Sequence, residues 1–204
     1  TKIYSYKENV ENINSNNLKK LGNPIFTFEN DIYMKHNGMK KEISEDDPNY
    51  FNIKNMIYTS NISKFSIGSQ VMLSVNLNSD MGLVNGSRGV ITDFKNGYPI
   101  VLFKNGEIID ILPYEVKYEY LNRTIYIEQI PLILAWAITI HKSQGASLDS
   151  AEIDLGSTLF TYGQGYVALS RVRNSEGLRL IALDPRKIKA NPKVKEFYKN
   201  LKLN

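Results

Sequence analysis

The sequence predicts an α/β protein, with a parallel sheet interrupted by a small β module of the SH3-like kind. Two observations carry this. Strand-like and helix-like segments alternate near both ends of the chain, the pattern of a parallel sheet joined by helical crossovers. Between them, VITDFK-NG-YPIVLFK-NG-EIIDIL (90–112) places three alternating or apolar runs around Asn96-Gly97 and Asn105-Gly106. Asn-Gly supplies the positive φ angles of tight hairpin turns, and three short strands so joined form a meander.

The elements follow in order. KIYSY (2–6) alternates and reads as a short strand. Val10, Ile13, Leu18 and Leu21 then recur at near-helical spacing. That helix stops at Leu21-Gly22-Asn23-Pro24, where Gly caps and Pro forbids continuation. Residues 25–35 look extended, and 36–66 read as loop with a short helix, including the solvated run Glu45-Asp46-Asp47. GSQVMLSVNL (68–77) is a strand and NSDMGLVNGSRG (78–89) is turn-rich. PLILAWAITIHKSQG (131–145) reads as a buried helix ending in a polar cluster. AEIDL (151–155) is a strand, 163–173 a helix, LRLIAL (178–183) a buried strand, and PKVKEFYKNL (192–201) a basic amphipathic helix with Pro192 in its first turn. The meander, bounded at 67–126, lies as an insertion between 1–66 and 127–204.

Composition excludes several classes. The chain has 204 residues, 42% of them apolar, with 13 Tyr and 8 Phe, which is enough to build a core. It has no cysteine, so disulfide scaffolds, thiolate metal sites and cysteine nucleophiles are out. With only His36 and His141, a histidine-rich metal site is out too. The longest apolar run, Ile130–Ile140, is far below the roughly 20 residues of a membrane span. No export signal is visible, so an intracellular setting is expected. The chain opens TKIYSY without an initiator Met, as part of a longer protein would. The net charge of +4 permits a nucleic-acid partner, and seven of the basic residues lie between Arg186 and Lys202.

No GxxxxGK[ST] phosphate loop occurs, and no G-x-S-x-G elbow. The chain therefore carries no complete catalytic constellation of its own. TIHKSQGASLD (139–149) does crowd hydroxyl, imidazole, ammonium and amide groups at one place, which suits phosphate and sugar oxygens. The same residues also read as a polar helix end with Gly145 left-handed. In YVALSRVR (166–173), Arg171 and Arg173 read either as complements to a helix dipole or as phosphate ligands.

Longer blocks decide more. LAWAITIHKSQGASLD (134–149) followed by GQGYVALSRVRNSEGLRL (163–180) resembles motifs V and VI of the petite integration frequency (Pif-type) DNA helicases. These belong to superfamily one, in the subgroup shared with RecD-like enzymes. GSQVMLSVNLNSDMGLVNGSRGVI (68–91) and DPRKIKANPKVKEFY (184–198) resemble further segments of that family. IYSYKENVENINSNNLKKL (3–21) is similar to its motif IV strand and helix.

The resemblance implies the second of two RecA-like (P-loop NTPase-type) helicase domains, holding an SH3-like small β-barrel insertion. ATP and Mg2+ would be held mainly by a first RecA-like domain upstream of this chain, which is one expected partner. Single-stranded DNA and DNA junctions are the others, with no membrane. The implied activity is an ATP-dependent 5′-to-3′ DNA helicase, to which this chain contributes without being an ATPase alone. Carried over by position, Arg171 is the arginine finger. Gln144, Gly145, Gln164, Tyr166 and Lys7 fall at the nucleotide, Gln164 and Tyr166 either touching it or positioning Arg171. Thr139, His141 and Lys142 fall on the DNA face. Asn85, Gly86, Arg88 and Gly89 form the turn that launches the β module, and Gly165 stands where the family has a small residue with a side chain. The alternatives are a non-enzymatic nucleic-acid-binding module or a protein-docking module.

Overall fold

The computed structural model describes residues 1–36, 38–44, 46–55 and 61–201. The chain divides into two compact units, one of residues 1–17 and 135–204, the other of residues 18–134.

The first unit opens with β1 (Lys2–Tyr4) and α1 (Lys7–Lys20). Leu21 and Gly22 donate to Leu18 and Lys19 carbonyls, and Gly22 takes φ +69°, which ends the helix where glycine predicts it.

The second unit follows. Its strands are β2 (Phe26–Glu29), β3 (Asp31–His36) and β4 (Met39–Glu42), then α2 (Tyr50–Asn55) and β5 (Ile62–Phe65). The stretch 36–66 therefore carries strands where loop was expected, because β4 pairs with β3 and β5 with β2. Of the Glu45-Asp46-Asp47 run, Glu45 lies outside the described residues, and Asp47 faces Arg123 at 3.9 Å. Next come β6 (Gln70–Leu73), β7 (Arg88–Lys95), β8 (Tyr98–Phe103), β9 (Ile108–Asp110), β10 (Tyr114–Tyr120), β11 (Arg123–Gln129) and β12 (Leu132–Leu134).

The expected meander is present as β7-β8-β9, within an antiparallel sheet of order β12-β6-β7-β8-β9. Asn96 (φ +52°) and Gly97 (φ +84°) make the first hairpin turn. Phe65, Val71, Leu73, Leu83, Ile91 and Val101 are part of its core. A second sheet, β10-β11-β3-β4, packs Ile32, Ile43, Ile53, Ile125 and Ile127 on one face. On its other face Tyr33 is fully buried and donates to Glu115. Burial and that carboxylate push its phenol up to about 12. The unit is thus larger than 67–126: β3 pairs with β11, and β6 with β12.

The chain then completes the first unit with β13 (Ala137–Thr139), β14 (Ala151–Leu155), α3 (Gln164–Leu169), β15 (Leu178–Leu183) and α4 (Pro192–Leu201). The sheet order is β13-β1-β14-β15, every pair parallel. Ile3, Ile138 and Ile153 sit in adjacent strands and are essentially unexposed, each contributing about 1.5–3 kcal/mol by burial.

Three elements differ from expectation here. The run 131–141 is two short strands, not a helix. A continuous apolar run fits a buried parallel strand as well as a buried helix, and its β-branched Ile133, Ile138 and Thr139 favour the strand. Buried Asn14 on α1 holds β13 in place, donating to the Ala137 carbonyl and accepting from the Ala137 amide, both at 2.9 Å. The helix at 163–173 is confined to α3, so Arg171 and Arg173 lie past its end. β15 is an edge strand with Leu180, Ile181 and Leu183 exposed rather than buried. No helix among the described residues is long and apolar enough to cross a membrane.

Candidate functional site

In open α/β sheets, ligands sit beyond the carboxyl ends of parallel strands, because strand-end loops can carry side chains there without disturbing the core. Most of the residues singled out from sequence lie on those loops of the first unit.

After β13, the segment 140–145 closes into a compact turn. The Thr139 hydroxyl accepts the Lys142 amide at 3.2 Å, and Ser143 Oγ donates to the Ile140 carbonyl at 2.7 Å. Thr139 is only 9% exposed, so its side chain shapes the turn rather than facing solvent. His141 and Gln144 are exposed, as is Gly145, which takes φ +83° with open space about its Cα. Lys142 is half-buried. Desolvation, with Lys7 nearby and Glu11 opposing, holds its ammonium below the ordinary lysine value. Lys7 opens α1 and pairs with Glu11 at 3.2 Å, so it stands in the Lys142 neighbourhood.

Two aromatic residues complete this edge, and sequence reasoning missed both. Tyr6, just past β1, stacks on Phe160, past β14, with centroids 5.3 Å apart. The His141 ring lies 6.4 Å from Phe160. Tyr6 is 47% exposed and Phe160 53%. The available signal was position: Phe160 follows a predicted parallel strand by five residues, and Tyr6 closes one.

The arginine stands in the turn after α3. Arg171 Nε donates to the Val167 carbonyl at 2.9 Å, Nη2 to Ser170 Oγ at 3.0 Å and Nη1 to the Ala146 carbonyl at 3.4 Å. Its backbone is clamped as well: Leu148 donates to the Arg171 carbonyl at 2.8 Å, and Arg173 to the Leu148 carbonyl at 3.1 Å. The guanidinium is therefore half-buried next to Ala146, which follows Gln144 and Gly145 directly. A guanidinium carries five N–H donors, so two remain for a ligand.

Gln164 and Tyr166 separate in role. Tyr166 is exposed on α3. Gln164 is buried, 4% exposed, and its side-chain oxygen accepts the Phe160 and Thr161 amides at 3.0 and 3.2 Å. It builds the Phe160 loop rather than lining an open site. Gly165 is buried against Ile188, whose Cγ1 would stand 3.3 Å from an added Cβ. In the second unit, Asn85 and Gly86 form the expected turn, with Gly86 donating to the Leu73 carbonyl at 2.9 Å and taking φ +92°. Arg88 and Gly89 begin β7, and a Cβ on Gly89 would meet the Leu102 carbonyl oxygen at 2.6 Å.

A parallel sheet with such strand-end loops, interrupted by an antiparallel unit, is an open α/β architecture with an insertion. Comparison with known proteins narrows it. Residues 53–94 match the family model described as "DNA helicase Pif1, 2B domain". The ATP-dependent DNA helicase PIF1 of Danio rerio is 39% identical over 99% of this chain and 30% of its own length. The Pif1 helicase structure from Candida albicans superposes with TM-score 0.75 at 26% identity, covering 98% of this chain and 49% of that one. The Bacteroides Pif1 structure in complex with ADP-AlF3 and single-stranded DNA gives TM-score 0.66 at 30% identity, over 99% of this chain and 45% of that one. The chain belongs to the Pif1 helicase family. It spans about a third of the curated relative's length and about half of the solved ones.

Proposed function

We propose that this chain is the second motor domain and inserted β module of an ATP-dependent 5′-to-3′ DNA helicase. The first unit is the RecA-like half, and the second unit, SH3-like in its β6–β9 and β12 sheet, is the insertion that guides duplex at a junction. The observation that carries the reading is the Arg171 guanidinium, held by the Val167 and Ala146 carbonyls and by Ser170 Oγ beside Gln144-Gly145 while keeping donors for a phosphate. A relative solved with a nucleotide analogue and single-stranded DNA supports both ligands.

The chain's own residues divide the work. Arg171 faces the terminal phosphate of ATP held with Mg2+ by an upstream RecA-like domain, and stabilises the charge that develops during transfer. ATP, when bound, supplies the free energy of phosphoryl transfer. Gln144 and exposed, left-handed Gly145 let backbone approach that phosphate, the fit a crowded residue would forbid. Tyr6, Phe160, His141 and Lys142 form the DNA face, with aromatic rings for bases and cations for phosphates; Lys7, which the resemblance placed at the nucleotide, lies near Lys142 and is assigned to this face instead. Thr139 and Gln164 position rather than touch. The helicase reading implies an intracellular setting.

The test uses the full-length protein. Arg171→Ala lowers ATP turnover by about 10³–10⁵-fold while single-stranded DNA binding without nucleotide stays near wild type. Turnover within tenfold of wild type overturns the arginine's role. Polarity is read from duplexes with a 5′ or a 3′ single-stranded tail. Unwinding of the 3′-tailed substrate alone overturns the direction.

A further inference from the structure

The DNA face and the arginine lie on different loops, and a motor must join them. Phe160 is exposed on the loop after β14, whereas Arg171 hangs on the last turn of α3 through its bond to the Val167 carbonyl. One buried side chain bridges the two. Gln164, the first residue of α3, holds the Phe160 and Thr161 amides with its single side-chain oxygen. Two backbone donors require an acceptor, so the orientation of the amide follows from chemistry rather than from shape. Its Nε2 group then has no partner among the described residues, although it is buried. A buried donor left unpaired costs about 1–3 kcal/mol. Leucine or methionine would fill the same space but would orphan the Phe160 and Thr161 amides, so the site requires the acceptor oxygen rather than the packing.

The flanking backbone is suited to movement. Gly163, the residue before α3, takes φ +79°, and Gly165 follows. Gln164 is thus held between a left-handed glycine and a helical one, at the joint where the Phe160 loop becomes α3. α3 is a single rigid piece of six residues whose far end carries the Arg171 bond.

We propose that Gln164 is a positioning residue that couples base stacking at Phe160 to the placement of the Arg171 guanidinium. This rests on the roles given above to Phe160 and Arg171. A base stacked on Phe160 shifts the 160–161 backbone. The two hydrogen bonds carry that shift to the first turn of α3, and the helix carries it to the Val167 carbonyl.

The experiment compares Gln164→Leu and Gln164→Glu in the full-length protein, measuring ATP turnover with and without oligo(dT), the KM for ATP and oligo(dT) affinity. Glutamate keeps the acceptor and replaces the unpaired donor by a second acceptor oxygen on an ionisable carboxyl. The expected result is that Gln164→Leu lowers the ratio of DNA-stimulated to unstimulated turnover by about tenfold, an ordinary coupling magnitude. Oligo(dT) affinity and KM stay within about twofold, and Gln164→Glu retains most of the stimulation. A Gln164→Leu protein with the wild-type ratio overturns the proposal. So does loss of stability, affinity and turnover together in both variants, which is the behaviour of a merely structural residue. Failure of the underlying reading looks different. Phe160→Ala would leave oligo(dT) affinity unchanged, or Arg171→Ala would leave turnover unchanged, removing the ends that Gln164 joins.

Discussion

At the residue scale, chemistry separates from support. On the reading proposed above, Lys142 is a ligand for DNA phosphate, and its ammonium is disfavoured by burial and by Lys7. A lysine with a lowered folded-state value binds fewer protons folded than unfolded between that value and the ordinary 10.5, so stability rises with pH across that window. Lys142→Met therefore stabilises the fold at neutral pH, and thermal unfolding shows the gain shrinking as pH approaches 10.5. The same variant weakens oligo(dT) binding and flattens the log–log salt slope by about 0.7, the loss of one single-strand phosphate contact. Gly165 answers a second question. Its φ lies outside the left-handed range, and the neighbour an added methyl would crowd is Ile188, itself 41% exposed and able to yield. Gly165→Ala accordingly raises stability by about 0.4–1 kcal/mol in chemical denaturation, by restricting the unfolded chain. Arg171, Gln144, Gly145 and His141 could be singled out from sequence because they sit in long, specific blocks. Tyr6 and Phe160 were not: they are 154 positions apart in the sequence, and only strand order makes them neighbours.

At the element scale, turn chemistry was the more reliable guide and apolar runs the less. Asn96-Gly97 marks the β7–β8 hairpin because few other pairs take positive φ at both central positions without strain. The β10–β11 hairpin escaped notice because its turn is Leu121-Asn122, at φ +46° and +59°. Leucine pays a steric penalty there, and it is 69% exposed, so no packing offsets it. Replacing the pair by Asn-Gly raises stability by about 1 kcal/mol, read as a higher melting temperature with β-sheet content unchanged. Gly89 is the opposite case. β8 backbone stands where a side chain would go, so Gly89→Ala breaks the β7–β8 pairing and lowers stability by about 2 kcal/mol or more. The strand identity of 132–139 was hidden because a run buried on all sides carries no periodicity, and only pairing with β6 and β1 distinguishes strand from helix there.

At the scale of the whole molecule, the proposed reading gives the chain an arginine and a DNA face, and its sequence holds no phosphate loop. The purified 204-residue chain is therefore expected to show no ATP turnover above that of its Arg171→Ala variant, in a coupled phosphate-release assay. Its affinity for oligo(dT) is expected to fall steeply as salt rises, because phosphate contacts release counterions. Sustained turnover by the fragment would overturn the division of labour between the two motor halves.

The α/β alternation, the Asn-Gly hairpin and the family followed from sequence alone, since each rests on local residue order. Three things were decided only in three dimensions. Residues 18–66 joined the β module because β3 pairs with β11. Gln164 turned inward to hold two backbone amides. Tyr6 met Phe160 because β1 lies next to β14. Each depends on which distant segments become adjacent, and adjacency across a sheet is settled by hydrogen-bond pairing and burial, quantities that no local stretch of chain contains.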